Sequence, residues 1–398
     1  MKLTVVIVSY NVKYYVDQCL CSVKRAMRSI DGGIFVIDNH SKDGSAEYLR
    51  SRHKDVTFIT NNHNLGFARA NNIVISQTDG DYVLLLNPDT IVGEDVLSQC
   101  VAFMDTHPRA GGLGVCMHNE SGRRAMESRR GLPTPMTAFY KMCGLCALYP
   151  HNRRFGKYYM SYLPWDKPVQ IEVVSGAFFM IRREAIGKAG LLDEDFFMYG
   201  EDIDMSYRLL KAGYDNWFLP ADIIHYKGES TQKTSFRYVH VFYQAMLIFL
   251  RKHYSGLSRW ISIPVKAAIY AKASTALFKM TIDSIRQSLG FTRKLRTVHT
   301  EYVFLGKADA IDICRRIARD NALDARFIVC DSHSLPAGHR DASVSLNPKG
   351  NTFVVYDNEA YSYAAIIAAF AAAPAANVFM GTFNRDSNTV VTAHDVFM

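Results

Sequence analysis

The sequence predicts an α/β protein with a mixed, mainly parallel sheet, followed by a basic amphipathic helical segment and a small second α/β unit. Three observations lead to this prediction. Apolar, β-branched runs alternate with amphipathic stretches through the first third of the chain, which is the pattern of a parallel sheet with helical crossovers. A segment with ten Lys and Arg residues and one acid then occupies 251–296. A new strand–helix–strand pattern begins close to residue 300.

Four continuous apolar runs are the predicted parallel strands, because a strand covered on both faces carries apolar residues at every position. These runs lie at 3–8, 34–37, 56–59 and 82–86. The stretches between them have helical spacing and predict helices at 16–30, from 45 onwards and at 66–76. Arginines, prolines and tyrosines predict loops and short helices over 111–168. Further strands are predicted at 171–181, 217–220 and 223–225.

Polar residues follow each of the four predicted strands. The four sets are Ser9–Asn11, Asp38–Ser41, Asn61–Asn64 and Asn87–Asp89. In open α/β sheets ligands bind outside the carboxyl ends of the strands. The sequence therefore predicts a crevice there that binds phosphate and sugar groups.

A run of acids interrupted by large apolar groups is the strongest candidate for catalysis. Six carboxylates fall within 193–204, and Phe196 to Tyr199 stand in the middle of the run. Such a mixture predicts a pocket wall, where burial raises the pKa of a carboxylic acid and suits it to act as a base. We predict Asp202 as the general base, with Glu201 beside it. The alternative is an acid-rich first turn of the helix that follows.

Cysteine usage and hydropathy narrow the class of protein. The eight cysteines are scattered, and the single C-x-x-C pair, Cys143 and Cys146, has no second pair at zinc spacing. We expect reduced thiols in a cytosolic protein, a metal or redox role for this pair being the alternative. Residues 1–8 predict a buried strand rather than a signal peptide. No run reaches the ~18 apolar residues of a membrane span.

The basic segment 251–296 carries the whole excess of positive charge, since the net charge of the full chain is +8. Lys272, Lys279, Arg286 and Arg293 recur every seven residues, beside an apolar stripe that comprises Phe278, Ile282, Ile285 and Leu289. A basic face next to an apolar stripe predicts binding to an anionic membrane surface. The alternative is a helix packed on the catalytic domain. We expect no nucleic-acid partner, because no binding motif accompanies the basic run.

Residues 297–398 predict a separate small α/β domain. Strands are predicted at 302–308 and 326–331, with a helix at 310–321 between them and an alanine-rich helix at 364–376. The unit looks like a small Rossmann-like domain. Gly306 stands alone where G-x-G-x-x-G would be expected, which argues against dinucleotide binding.

Seven motifs, in order, resemble the family-2 glycosyltransferases with the GT-A fold, and most closely their rhamnosyltransferase-like branch, which builds bacterial surface polysaccharides. The likeness covers about residues 1–255. The motifs lie at 6–11, 36–45, 64–72, 86–89, 175–177, 197–204 and His225. The resemblance implies inverting transfer of a sugar from a nucleoside-diphosphate sugar to an acceptor hydroxyl.

The resemblance also implies a divalent metal, Mg²⁺ or Mn²⁺, on the leaving diphosphate. Asp89 and His225 match the family's metal contacts. Asn87 replaces the first acid of the family's Asp-x-Asp motif, a variant usual in the rhamnosyltransferase-like branch. The alternatives are a turn role for Asp89 after Pro88 and a packed core role for His225.

The remaining matches imply contacts with the donor and the acceptor. Asp38 and Arg69 match nucleotide-binding residues; a structural turn and a surface salt bridge are their alternatives. The other implied donor contacts are Ser9, Tyr10, Asn11 and Asn87. Gly66 and Gly176 match positions where the backbone approaches the substrates. Asp202 matches the acid that deprotonates the acceptor, and Glu201 its neighbour.

We therefore expect a GT-A domain at 1–250, the basic segment at 251–296 and the Rossmann-like domain at 297–398. The expected enzyme transfers a sugar, from dTDP-rhamnose or a UDP-hexose, to a glycan or lipid-linked glycan. It is expected in the cytoplasm, peripheral on the inner face of the cell membrane. The alternatives are a catalytically silent nucleotide-sugar-binding scaffold and a nucleotidyltransferase, although the glycine- and lysine-rich phosphate loop of the latter is missing.

Overall fold

The computed structural model describes residues 1–226, 236–254, Ile282 and 299–398. The first sheet contains β1 Leu3–Ser9, β2 Gly32–Asp38, β3 Thr57–Thr60, β4 Tyr82–Leu86, β5 Thr90–Val92, β6 Ala110–His118, β7 Val169–Ile171, β8 Phe178–Arg182 and β9 Asp215–His225. The helices beside it are α1 Lys13–Ala26, α2 Ser45–Arg52, α3 Phe67–Gln77, α4 Val96–Thr106, α5 Pro135–Met142, α6 Leu145–Leu148, α7 Arg183–Ala189, α8 Glu201–Lys211 and α9 Phe236–His253. Short 3-10 helices lie at Met126–Ser128 and Gly156–Tyr158.

The first sheet has the strand order β3-β2-β1-β4-β8-β6-β9-β5, with β7 paired to β9. Strands β3, β2, β1 and β4 run parallel, and β6 and β9 are also parallel. Strand β8 is antiparallel to β4 and β6. All seven residues of β1 are buried, as a central strand with helices on both faces requires. The predicted class, α/β with a mixed, mainly parallel sheet, is confirmed.

The second sheet contains β10 Thr300–Gly306, β11 Ala325–Val329, β12 Asn351–Asp357, β13 Val378–Asn384, β14 Thr389–Thr392 and β15 Val396–Phe397. Helices α10 Ala308–Asp320 and α11 Tyr363–Ala372 accompany it, with a 3-10 turn at Gly338–Arg340. Its order is β11-β10-β12-β13-β14-β15. The first four strands are parallel and the last two are antiparallel.

The two sheets share one hydrophobic core, which contains Leu3 and Val5 from the first unit and Val303 and Tyr363 from the second. The Glu94 carboxylate accepts the backbone N–H groups of Tyr363 and Ala364 at 2.9 and 2.8 Å, where a negative charge stabilises the start of α11. This common core was not expected of an appended domain. The Rossmann-like assignment and the boundaries near 250 and 296 stay predictions.

Several elements differ from the expected ones. The stretch 111–168, expected as loops and short helices, begins with strand β6, and the strand expected at 171–181 is two strands, β7 and β8. Helix α1 ends at Ala26 rather than at residue 30, because β2 begins at Gly32 in register with Leu3 and the chain must turn first. The two short strands expected after Tyr214 are one strand, β9, whose pairing with β6 shifts register between Leu219 and Asp222. Such an irregularity is common around a proline inside a strand.

The predicted basic stripe Lys272, Lys279, Arg286 and Arg293 lies outside the described residues. No helix in the described ranges combines the length and the apolar content that crossing a bilayer requires. Membrane binding through the basic segment stays a prediction.

Candidate active site

Three of the polar strand ends meet at one edge of the first sheet. Ser9 at the end of β1 lies in register with Asp38 at the end of β2. Strand β4 pairs with β1 through Ile7 and Leu86, which brings Asn87 to the same edge. The Asn87 N–H then donates to the Ala177 carbonyl at 3.0 Å, so the loop before β8 joins the group.

The ends of β1 and β2, where the nucleotide-sugar donor is expected (the donor side), contain buried polar atoms that lack hydrogen-bonding partners among the described residues. Ser9 and Asp38 are 0% and 4% exposed. One carboxylate oxygen of Asp38 accepts the Ser41 N–H at 3.0 Å. The other oxygen and the Ser9 hydroxyl have no hydrogen-bonding partner within the described part of the chain. Buried polar atoms are rarely left unpaired, and a bound ligand that offers donors and acceptors would satisfy both.

The other expected nucleotide contacts lie further out. Tyr10 is exposed. Asn11 adopts φ +55°, and its amide oxygen accepts the Lys42 N–H at 2.7 Å. The Arg69 side chain is 60% exposed and lies 3.7 Å from the Glu194 carboxylate. The salt bridge that the sequence left open for Arg69 is therefore present, and these three nucleotide contacts stay predictions.

Gly66 lies against Phe197 in the acid run, and its expected approach to the substrate stays a prediction. Its φ is +81°, and a Cβ there would lie 2.4 Å from the Phe197 carbonyl oxygen. The next residue, Phe67, donates its N–H to that oxygen at 2.8 Å. A glycine is needed here both for the positive φ and for the contact.

The two expected metal contacts, Asp89 and His225, come together with Asn87 beside this edge. His225 Nε2 lies 3.3 Å from an Asp89 carboxylate oxygen and 3.3 Å from the Asn87 amide nitrogen. Asp89 is 2% exposed. The placement follows from the sheet, because β5 pairs antiparallel with β9 and sets Thr90 opposite His225.

The donor set at Asp89 and His225 fits a divalent cation. A carboxylate oxygen and an imidazole nitrogen converge there, and His225 Nδ1 has no hydrogen-bonding partner among the described residues. Mg²⁺ and Mn²⁺ commonly bind one or two protein ligands together with substrate phosphates. Two other groups in the described ranges bring three metal-ligating side chains together: Asp17, Cys21 and His53, and Cys116, His118 and Asp222.

Asp202 has a fixed position at the start of α8. One of its carboxylate oxygens accepts the Gly176 N–H at 3.1 Å and a guanidinium N–H of Arg130. The other accepts the Ile203 N–H at 2.8 Å, which leaves that oxygen able to accept a further proton. A Cβ on Gly176 would lie 3.3 Å from the Asp202 Cβ, so a small residue suits this close approach.

Arg130 is the site residue that the sequence reasoning missed. Its side chain is 16% exposed and that of Asp202 is 13% exposed, and the two form an ion pair. Arg130 precedes Asp202 by 72 residues in a stretch read as loops. Its only signal in the sequence was the Arg129–Arg130 pair, in a polar stretch that also holds the pair Arg123–Arg124.

We expect Arg130→Met to lower the free energy of unfolding by about 3–5 kcal/mol, because it leaves the Asp202 carboxylate buried without its partner. Urea denaturation of the variant measures the loss. The double variant Arg130→Met, Asp202→Asn is the control, and it should recover most of the difference because no charge is left unpaired. Equal losses in the single and double variants would contradict the pairing.

Glu201 differs from Asp202 in its surroundings. It is 6% exposed, and its Oε2 has no hydrogen-bonding partner among the described residues. Burial, reinforced by the negative charge of Asp202, raises the pKa of Glu201 to about 8. Glu201 is therefore neutral at pH 7, and it can donate a hydrogen bond.

The raised pKa of Glu201 predicts that stability falls with pH. Between about pH 4.5 and 8 the unfolded chain loses this proton while the folded chain keeps it, so the free energy of unfolding decreases as pH rises. Relative to wild type, Glu201→Gln should gain on the order of 4 kcal/mol across this window. Denaturation at several pH values measures it, and parallel curves for the two proteins would contradict the assignment.

The other acids of the run hold the scaffold. Asp204 is 1% exposed and binds Arg208 at 2.7 Å and His253 at 2.6 Å. Asp193 and Asp195 pair with Lys252. These contacts fasten the end of α9 beneath the site, so the acid run contains both site residues and structural ones.

Known proteins resemble this chain in sequence. Residues 4–190 match the family model described as glycosyl transferase family 2. The chain is 28% identical over 310 residues to an N-acetylglucosaminyl-diphospho-decaprenol L-rhamnosyltransferase of Mycobacterium tuberculosis, covering 74% of this chain and 97% of the relative. It is 24% identical over 214 residues to a poly-beta-1,6-N-acetyl-D-glucosamine synthase of Staphylococcus aureus, covering 53% of this chain and 46% of that protein.

The chain is also similar to a solved structure, the mannosyltransferase PcManGT from Pyrobaculum calidifontis in complex with GDP-Man and Mn²⁺. The TM-score is 0.43 at 17% identity, and the alignment covers 74% of this chain and 82% of that one. The family match covers β1 to β8 and so includes the strand ends of the site. Residues 4–190 therefore form a glycosyl transferase family 2 domain, and the chain is a glycosyltransferase.

Proposed function

We propose that this glycosyltransferase moves a sugar, with inversion, from a nucleoside-diphosphate sugar to a hydroxyl of a lipid-linked glycan at the membrane surface. The observation that carries the proposal is the meeting of Asp38, Asp89 and Asp202 around one sheet edge through β1, β2, β4 and the loop before β8. The likeness to the mycobacterial rhamnosyltransferase over 97% of its length favours a deoxysugar donor such as dTDP-rhamnose.

In the proposed mechanism the acceptor hydroxyl attacks the anomeric carbon while its proton passes to the Asp202 carboxylate oxygen that Arg130 does not bind. Arg130 and the Gly176 N–H hold the other oxygen, so the base keeps one orientation. Neutral Glu201 stands beside it as a hydrogen-bond donor to the substrates. The bond between the anomeric carbon and the diphosphate breaks as the new glycosidic bond forms.

A divalent cation would be held by Asp89 and His225, and it would stabilise the negative charge that develops on the departing diphosphate. Asp38 and Ser9 would take the nucleotide, since each has a buried polar atom with no hydrogen-bonding partner among the described residues. Tyr10, Asn11 and Arg69 are proposed as outer contacts.

An apolar pocket supports a lipid-linked acceptor. Its lining includes Pro133, Tyr199, Gly200, Ile203, Ala245 and Phe249, and Gly200 directly precedes Glu201 at the start of α8. An apolar wall this close to the base is a surface against which the lipid part of such an acceptor would pack. Peripheral binding to the inner face of the membrane through the basic segment belongs to the same proposal.

The decisive experiment incubates the full chain with Mg²⁺ or Mn²⁺, a short-chain polyprenyl-diphosphate N-acetylglucosamine and each of several nucleotide sugars, dTDP-rhamnose and UDP-hexoses first. Mass spectrometry of the lipid product should show the added sugar, and NMR should show an inverted anomeric centre. Hydrolysis of every donor with no transfer to any acceptor would count against the proposal. Nucleotide binding without any turnover would favour the scaffold instead.

Flotation on liposomes tests the membrane part separately. The chain should float with vesicles that contain anionic lipid and less with neutral ones, because the surface charge attracts the basic segment. Equal recovery in both gradients would contradict this part and leave the transferase proposal intact.

A further inference from the structure

We propose that Cys116, His118 and Asp222 form a zinc site, distinct from the cation position at Asp89 and His225. The three side chains come from neighbouring parallel strands. Cys116 and His118 stand two residues apart on β6 and so share a face, and Asp222 on β9 is the register partner of Cys116. Sulfur, imidazole nitrogen and carboxylate oxygen are the ligands that zinc takes in proteins.

The contacts of His118 point to a cation. Its Nδ1 lies 2.8 Å from the Gly122 carbonyl oxygen, which can only accept, so Nδ1 carries a proton. Its Nε2 lies 2.8 Å from Asp222 Oδ1 and 3.5 Å from Cys116 Sγ. A neutral imidazole in this tautomer presents a lone pair to a carboxylate, and a cation between the two removes the conflict. The carbonyl contact is the outer-shell partner that zinc-bound histidines usually have.

The spacing of the ligand atoms agrees with zinc. Tetrahedral zinc with ordinary bond lengths separates its sulfur and nitrogen ligands by about 3.6 Å, and the Sγ–Nε2 distance is 3.5 Å. The nitrogen and oxygen ligands would be about 3.4 Å apart, so Asp222 must withdraw by roughly half an ångström. Its side chain is 46% exposed, which gives it that freedom and leaves an entry path and room for a water as fourth ligand.

The second described group of Cys, His and Asp, which comprises Asp17, Cys21 and His53, does not require a cation. Asp17 Oδ1 already accepts from Arg52 at 3.3 Å and from His53 at 2.7 Å, and its Oδ2 accepts from Tyr48 at 3.3 Å. Cys21 Sγ accepts from the Asn384 amide at 3.3 Å. The Arg52 guanidinium already supplies the positive charge that a metal would bring to Asp17. This group is therefore the matched control.

The test measures metal in the full chain, purified without chelator and freed of any histidine tag. Mass spectrometry of the metal content should give about one zinc per chain. Replacement by Co²⁺ should give the near-ultraviolet absorption of a thiolate–Co²⁺ bond. Zinc restored to the chelated protein should raise the Tm by roughly 5 °C at saturating concentration.

Single substitutions show which of the two groups binds zinc. Cys116→Ser should abolish the thiolate band, and Asp222→Asn, on an exposed side chain that folding tolerates, should weaken zinc binding by about 100-fold or more. Cys21→Ser should leave both unchanged. A protein with no zinc and no thiolate band, or a band that survives Cys116→Ser, would overturn the proposal and leave a His118 imidazolium paired with Asp222.

Discussion

Asp202→Asn is expected to lower kcat for sugar transfer by about 10²–10⁴-fold, because it removes the group that takes the acceptor proton. The change keeps the size of the side chain, and the amide oxygen can still accept the Gly176 N–H or the Arg130 N–H. Nucleotide binding should persist, since Asp38 and Ser9 lie at the ends of β1 and β2, on the other side of β4. Initial rates and calorimetric titration with the nucleoside diphosphate measure the two effects.

Asp195→Asn is the matched control for this variant. It removes a carboxylate from the same acid run, with a side chain that is 60% exposed and paired with Lys252, so kcat should stay unchanged. A slow Asp202→Asn enzyme that also loses nucleotide binding would indicate a damaged fold rather than a missing base. Full activity in Asp202→Asn would disprove the catalytic assignment.

The parts of the fold that the sequence predicted are those with local signals. Strands β1, β2 and β4 are unbroken apolar runs, and the polar residues that end them had to meet because parallel strands share one carboxyl edge. The register that sets Ser9 beside Asp38 confirms that reasoning. The family motifs supplied the order of the site residues, and the roles given to them stay predictions.

The parts that escaped prediction depend on distant contacts. Arg130 meets Asp202 across 72 residues, and no local pattern tells a buried ion pair from a surface arginine. Gly66 packs against the Phe197 carbonyl, a contact that forms only in the folded chain. The C-terminal unit shares its core with the first sheet, because helix α11 receives the Glu94 carboxylate at its first turn. Contacts of this kind are decided by packing, which propensity and spacing do not encode.

The neutral state of Glu201 is a similar case. Two adjacent acids at a helix start are ordinary in sequence, yet burial and the neighbouring Asp202 charge raise the pKa of Glu201 to about 8. Environments that separate two acids in this way usually mark different chemical roles. The pair therefore offers one carboxylate that accepts a proton and one carboxylic acid that donates a hydrogen bond, a division that the sequence prediction of a single base did not contain.

The second large effect is expected at the metal side. Asp89→Asn should weaken Mn²⁺ binding in the presence of nucleoside diphosphate by about 100-fold or more and lower transfer by a similar factor, because the amide has no charge for the cation and the leaving diphosphate is less stabilised. Electron paramagnetic resonance of free Mn²⁺ measures the affinity, and initial rates at saturating donor measure transfer. His225→Gln should show a smaller loss of the same kind.

Asp222→Asn separates this cation from the proposed zinc. That variant should lose zinc and keep Mn²⁺ binding with the nucleotide, whereas Asp89→Asn should keep zinc and lose Mn²⁺, since the two positions share no side chain. Loss of both metals in either variant would mean that the two sites are not independent. If the wild type still transfers sugar at full rate after treatment with a chelator, the cation is not needed. Asp89 would then hold His225 in place across β5 and β9.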